Sequence, residues 1–331
     1  FSDTLLEHSR RNVEALVEAR GLHQGSFVVE LASNDGYLLQ YYVERGISVL
    51  GIDPAPGPVE AARQKGVDSL CEFFVRDLAE RLRREGRCAD VIHANNVLAH
   101  VADTQGFVAG ICTLLKEHGV AVIEVPYVRD LIDHCEFDTI YHEHLCYFSV
   151  SSLVPLLERQ GLFLNRVEKL SIHGGSLRLF REPRKQPGKT VENYLEEEAE
   201  QGVTQLHYYE KFSTRVNEVK SRLLDILIAK KKAGKRLAAY GAAAKGAILL
   251  NYMGIGRDLI DFVADRNVHK QGRFMPGVHI PIADPSRILE ERPDYLLLLP
   301  WNFKKEILEQ QAEYRRAGGK FIIPIPYPEI V

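Results

Sequence analysis

The sequence predicts two doubly wound α/β units of Rossmann type joined by helices, and three observations lead there. Short apolar runs alternate with amphipathic helical text through residues 22–180, and the same βαβ order restarts after residue 235. The length of 331 residues also exceeds the size at which a single hydrophobic core stops growing.

The elements follow in order. Residues 4–20 set Leu5, Val13, Leu16 and Val17 among charged side chains at near-helical spacing, which predicts an amphipathic helix ahead of the first strand. Residues 27–31 read as a buried strand, followed by a turn over 32–36 and helical text from Tyr37. A second strand over 48–53 is stopped by Pro54 and Pro56. Residues 89–93 and 120–125 continue a parallel sheet, and 176–180 form a late strand. From residue 184 to 235 the text is charged and periodic, with Glu196 to Glu200 and Lys230 to Lys232 flanking helical stretches. A strand over 236–240, a turn from Gly241 to Gly246, and strands over 259–264, 295–299 and 321–325 then repeat the α/β plan. The expected domains are residues 1–183, a helical connector over 184–235, and residues 236–331.

Composition narrows the function classes. A net charge of -3 offers no general field for a polyanion, so nucleic acid is not an expected partner. No apolar run approaches the roughly 20 residues that cross a bilayer, and no leader pattern opens the chain, so a cytoplasmic protein with no membrane partner is expected. The five cysteines are odd in number and never paired as CxxC, which argues against a disulfide frame or a zinc knuckle.

Two places carry chemistry. The first strand-turn-helix holds Glu30, Asn34 and Gly36, the second strand ends in Asp53 before Pro54, and Asn95 and Asn96 follow the strand that starts at residue 89. All lie at carboxyl ends of strands, where α/β sheets bind ligands. The turn keeps one glycine, whereas a dinucleotide pyrophosphate demands several. A ligand without phosphates, such as S-adenosylmethionine, tolerates it better. Asp53 suits ribose hydroxyls, or alternatively only caps the turn before Pro54. His100, a few residues on, is either a wall of the same crevice or a helix-start histidine.

The second place is the loop after residue 126, which collects His134, Asp138, Tyr141, His142, Glu143, His144 and Tyr147. Such density at a strand's carboxyl end points to proton chemistry with a histidine base. Zinc on His142 and His144, a nucleophilic Cys146 and plain loop capping are the alternatives, and the run lacks the HEXXH pattern of a zinc helix.

At these residues the sequence resembles the sugar C-methyltransferases that act on thymidine-diphosphate 4-keto-deoxysugars, as in tetronitrose and other antibiotic pathways. The matching motifs run from Glu30 to Tyr37 with Gly51 to Pro54, Asn95 to His100, Tyr141 to His144, His173 to Ser176, and Gly241 to Gly246. The resemblance implies a class I methyltransferase domain that binds S-adenosylmethionine and releases S-adenosylhomocysteine, followed by a second Rossmann-like domain. It implies cofactor contacts by Glu30, Asn34, Gly36, Asp53, Pro54, Asn95 and Asn96. His144 becomes the general base, with Tyr141, Glu143 and His100 around the reacting sugar and Glu143 or a backbone carbonyl holding the imidazole tautomer. His173, Ser176, Gly241 and Lys245 are expected to contact the nucleotide sugar, with Lys245 and the glycines of its turn taking the diphosphate.

The family also implies an N-terminal zinc domain with cysteine pairs and a further active-site tyrosine. This sequence contains neither, so a fragment or a shortened member is expected, with zinc a cofactor only where such a domain exists and no resident metal in this chain. A monomer or homodimer acting on a small molecule is expected. The rival readings are an NAD(P)-dependent oxidoreductase, which the Gly-poor first turn disfavours, and a non-catalytic nucleotide-sugar-binding protein.

Overall fold

The computed structural model describes residues 2–331, with the His173 side chain excepted, and the chain divides into two compact units. The first comprises the residues up to Val128 together with Leu145–Thr204; the second comprises Arg129–His144 and Gln205–Val331.

The first unit holds a seven-stranded sheet of β1 (Phe27–Leu31), β2 (Ser48–Ile52), β3 (Ser69–Leu70), β4 (Ala89–Asn95), β5 (Leu115–Pro126), β6 (Phe163–Leu170) and β7 (Ser176–Glu182). Its order is β3-β2-β1-β4-β5-β7-β6. The pairs from β3 to β5 are parallel, and β7 runs antiparallel to both β5 and β6. Because helices cover both faces, the inner strands read as unbroken apolar runs rather than alternating ones. One face buries Val28, Val49, Val91 and Val122 with Val13 and Leu16 of the helix Asp3–Arg20. The other buries Val29, Leu50, Ile92 and Ile123 with Leu78 and Leu82 of Arg76–Arg84 and with Phe107 and Ile111 of Thr104–Leu114. The Asp3–Arg20 helix starts on a Ser2 hydroxyl that accepts from the Leu5 amide and ends on Gly21 at φ +58°.

The second unit holds β8 (Leu237–Tyr240), β9 (Val263–Ala264), β10 (Ile282–Ala283), β11 (Tyr295–Leu298), β12 (Lys320–Ile323) and β13 (Glu329–Ile330), in the order β10-β9-β8-β11-β12-β13. All pairs are parallel except β12 with β13. The helix Phe212–Lys232 lays Val216, Val219, Leu223 and Leu227, spaced three and four apart, onto this core. No helix among the described residues is long and apolar enough to cross a membrane.

Several elements differ from expectation. Strand β6 was not predicted because only one of its faces is buried: Arg166, Glu168 and Lys169 interrupt the apolar signal. The two-residue strands β3, β10 and β13 are too short to leave a pattern, and the expected strand over 259–264 is strand only at Val263–Ala264. The stretch over 184–235 is not one connector. Its first helix, Lys189–Gln201, belongs to the first unit: Val191 joins that core, and the buried Glu198 carboxylate accepts from the Val150 amide at 2.7 Å, the Ser151 amide at 2.8 Å and the Tyr127 hydroxyl at 2.9 Å. Residues 129–144, expected within the first domain, fold with the second because Cys135 and Phe137 enter its core.

Candidate active site

Register decides what meets at the carboxyl end of the first sheet. Glu30 of β1 stands opposite His93 of β4, Asn95 of β4 opposite Glu124 of β5, and Glu124 opposite Arg178 of β7. Cross-strand neighbours share a face, so these polar side chains form two successive ranks, Glu30 with His93 and Asn95 with Glu124 and Arg178, within a largely apolar sheet. Arg178 donates to Glu124 through Nε at 2.8 Å and Nη2 at 2.7 Å, and His8 Nε2 lies 3.0 Å from the same carboxylate. Against a burial that pushes Glu124 upward, His8 and Arg178 hold it below the ordinary carboxylate range. The Tyr42 hydroxyl lies 2.9 Å from His93 Nε2, and burial drives the His93 ring down to about 3, so it stays neutral. Glu30 is fully buried, and neither of its oxygens has a hydrogen-bond partner among the described residues. Burial pushes its pKa well up, reinforced by the charges of Asp35, Asp53 and Glu124. Asn95 Oδ1 is likewise unpartnered.

The turns after β1 and β4 are held in unusual backbone geometry. Ala32, Asn34 and Asn96 have φ of 56°, 52° and 54°, a region that costs non-glycine residues energy and clusters at functional sites. The Asp53 carboxylate accepts from the Asn34 amide at 3.0 Å and from the Ala55 amide at 2.9 Å, so it links the ends of β1 and β2. Beside it opens a cavity of about 510 Å³, walled by Ala32, Ile52, Pro54, Val97, Phe107 and the aromatic pair Phe73 and Phe74. His100, exposed at the end of a short 3₁₀ turn, lines the same cavity.

In the second unit, the segment from Arg129 to His144 carries the ionisable loop. Its 3₁₀ turn Phe137–Thr139 buries Asp138, whose Oδ2 accepts from Trp301 Nε1 at 2.8 Å. His144 Nδ1 lies 2.8 Å from the Thr139 carbonyl oxygen. A carbonyl can only accept, so this hydrogen bond places a proton on Nδ1 and, in the neutral ring, the basic lone pair on Nε2. The Tyr141 ring stacks on the imidazole with centroids 4.2 Å apart and planes at 29°. His142 and Glu143 are exposed, with 3.8 Å between Nε2 and a carboxylate oxygen.

A family model described as a methyltransferase domain matches residues 5–165, and one described as a C-methyltransferase C-terminal domain matches residues 171–326. Over 331 residues the chain is 35% identical to the C-methyltransferase NovU of Streptomyces niveus, covering 99% of this chain and 79% of that protein. The chain belongs to the C-methyltransferase family. A shorter similarity, 25% over 122 residues, joins 37% of it to 47% of the ubiquinone biosynthesis O-methyltransferase of Azorhizobium caulinodans. Among solved structures, magnesium protoporphyrin IX methyltransferase from Synechocystis, with S-adenosylmethionine bound, aligns at 16% identity and a TM-score of 0.40 over 53% of this chain and 77% of that one.

The enzyme is therefore an S-adenosylmethionine-dependent C-methyltransferase with a class I, Rossmann-like first unit. Its residues suit that cofactor: apolar and aromatic walls match an adenosine, and the unpartnered buried oxygens of Glu30 and Asn95 are acceptors of the kind an ammonium group requires. Among the cofactor residues expected from sequence, Glu30, Asn34, Asp53, Pro54, Asn95 and Asn96 gather at the ends of β1, β2 and β4. Gly36 also meets a packing constraint, because at φ +75° a Cβ there would lie 2.9 Å from Val67 Cγ2. Of the two tautomer holders considered for His144, the backbone carbonyl of Thr139 is the one in place.

The expected substrate contacts fare differently. The His173 side chain lies outside the described residues. Ser176 is buried, with its hydroxyl on the Ile172 carbonyl at 3.3 Å. Gly241 and Gly246 leave no room for a side chain, since a Cβ would collide with the Pro300 ring or lie 2.8 Å from Leu299 Cβ. Lys245 Nζ sits 4.5 Å over the Trp301 ring. Sequence reasoning missed Phe73 and Phe74, whose signal was an apolar pair in an otherwise polar loop. It also missed His8, His93, Glu124 and Arg178; a charged or imidazole residue inside an apolar strand run was the available clue.

Proposed function

We propose that this C-methyltransferase methylates the carbon next to the ketone of a nucleotide-linked keto-deoxysugar in the cytoplasm, with His144 as the general base. The observation that supports this is the Nδ1 hydrogen bond to Thr139, which leaves the acceptor nitrogen of the neutral imidazole at Nε2. His144 Nε2 takes the proton from the carbon beside the ketone, and the electron pair left behind spreads onto the ketone oxygen as an enolate. Stacking on Tyr141 limits the imidazole's rotation and shelters one ring face from water. Tyr141, Glu143 and His100 serve the reacting sugar, and a hydrogen bond donated to the enolate oxygen strengthens as its charge develops. Glu30, Asn34, Asp53, Pro54, Asn95 and Asn96 hold the cofactor. When bound, S-adenosylmethionine supplies the sulfonium methyl that the enolate carbon takes up.

The test is methyl transfer from labelled S-adenosylmethionine to a panel of thymidine-diphosphate 4-keto-deoxysugars, with calorimetry of S-adenosylhomocysteine binding alongside. His144→Ala is expected to abolish transfer and to leave the affinity for S-adenosylhomocysteine nearly unchanged. Turnover retained in that variant rejects the base assignment, and an absence of transfer to every keto-sugar rejects the substrate class.

A further inference from the structure

The second unit buries a carboxylate one residue before the carbonyl that holds His144. Asp138 is 0% exposed, and its Oδ1 has no hydrogen-bond partner among the described residues. Its Oδ2 accepts from the Trp301 indole, a partner 163 residues away in sequence. The Lys245 ammonium rests over the same indole, so a cation, an aromatic ring and an acid form one cluster on the buried side of the Phe137–Thr139 turn. A half-satisfied carboxylate in an apolar core is costly, and an apolar side chain would fill such a seat at less expense in stability. The turn itself is tightly specified. Thr139 donates its amide to the Glu136 carbonyl at 3.1 Å and its hydroxyl to the same oxygen at 2.8 Å, while Phe137 is buried in the second unit's core. The Thr139 carbonyl is therefore aimed by a turn that Asp138 pins.

We propose that Asp138 is a positioning residue for methyl transfer: seated on Trp301, it fixes the Thr139 carbonyl and through it the tautomer and orientation of the His144 imidazole. This rests on His144 being the base. The groups facing Asp138 are Lys245 from the helix Ala244–Met253, Trp301 from its 3₁₀ turn, and Glu136 from its own segment. Burial raises the Asp138 carboxyl to about 6, while Lys245 and the indole pull it back down. Lys245 is itself lowered by burial and held up by the charges of Asp138 and Glu136.

The experiment compares Asp138→Ala, Asp138→Asn, Trp301→Phe and His144→Ala. Two rates are measured on a thymidine-diphosphate 4-keto-deoxysugar: methyl transfer, and solvent-deuterium uptake at the carbon beside the ketone with S-adenosylhomocysteine bound. Asp138→Ala is expected to lower kcat roughly 10- to 100-fold, as a displaced catalytic group does, with S-adenosylhomocysteine affinity kept within about twofold. Asp138→Asn, which keeps an acceptor for the indole, recovers most of that loss, and Trp301→Phe loses a similar factor. Loosening the Nδ1 hydrogen bond destabilises the imidazolium, so the acid limb of the pH–kcat profile moves to lower pH by about half a unit in Asp138→Ala.

Wild-type kcat and an unmoved profile in Asp138→Ala or Trp301→Phe overturn the proposal. If Asp138→Ala does not fold, Trp301→Phe decides on the same terms. Turnover in His144→Ala is a different result: it sinks the base assignment and this proposal with it.

Discussion

Acid should destabilise the first unit through one buried imidazole, and the size of the effect follows from the structure. His93 is fully buried against Tyr42 and lies near Glu124 and Arg178; burial holds its pKa at about 3, against 6.5 for an unperturbed histidine. The unfolded chain therefore takes up a proton as the pH falls through 6.5, while the folded chain does not until about 3. The stability that neutral His93 confers is present above pH 6.5 and is lost as the pH drops towards 3. At about 1.4 kcal/mol per pH unit, the loss between pH 7 and pH 5 is about 2 kcal/mol. His93→Gln removes the titration and keeps an acceptor for the Tyr42 hydroxyl. Urea unfolding at pH 7 and pH 5, followed by far-UV circular dichroism, should show the parent losing about 2 kcal/mol more than the variant over that interval. Glu30, raised by burial, acts in the opposite direction over the same range, but it is common to both proteins and drops out of the difference. Parallel losses in parent and variant would refute the reasoning.

Two further expectations follow from the first unit. Replacing Glu198 by Ala leaves the buried Val150 amide and the Tyr127 hydroxyl without their acceptor, and urea unfolding should show a loss of about 3 kcal/mol; a loss below about 1 kcal/mol would mean that water or a neighbour substitutes for the carboxylate. Phe73 is 74% exposed yet walls the 510 Å³ cavity, so Phe73→Ala should weaken S-adenosylhomocysteine binding about tenfold in calorimetry while leaving the melting temperature unchanged, and unaltered affinity would place the adenosine elsewhere.

What could be read from the sequence follows from how each element is buried. Strands β1, β2, β4 and β5 are covered on both faces and announce themselves as apolar runs, and the turns at their ends carry the Asn, Gly and Pro that such geometry needs. That is why Glu30, Asn34, Asp53 and Asn95 stand out in the sequence as candidates at strand ends. Strand β6, wet on one face, does not. Pairwise meetings across register were hidden too: nothing local ties His8 to Glu124 and Arg178, or Asp138 to Trp301, since each partner looks like an isolated residue in its own segment. The glycines of the turn from Gly241 to Gly246 carry a signal with two sources. Their small size suggested room for a phosphate, and the structure adds a packing reason for it, since a Cβ at either would meet Pro300 or Leu299.

The path of the chain has a consequence for biosynthesis. Residues 129–144 leave the first unit and join the second, then the chain returns to complete β6 and β7. Translation therefore delivers the histidine loop well before Trp301 and the rest of the core on which that loop settles. A ribosome must add a further 163 residues after Asp138 before the tryptophan that seats it exists. Until then the nascent enzyme can round off most of its first sheet, but its loop has nothing to lie on. Gene fragments that stop between the two units should yield protein whose histidine loop is unmoored, and dividing this enzyme into its two units would require three cuts rather than one.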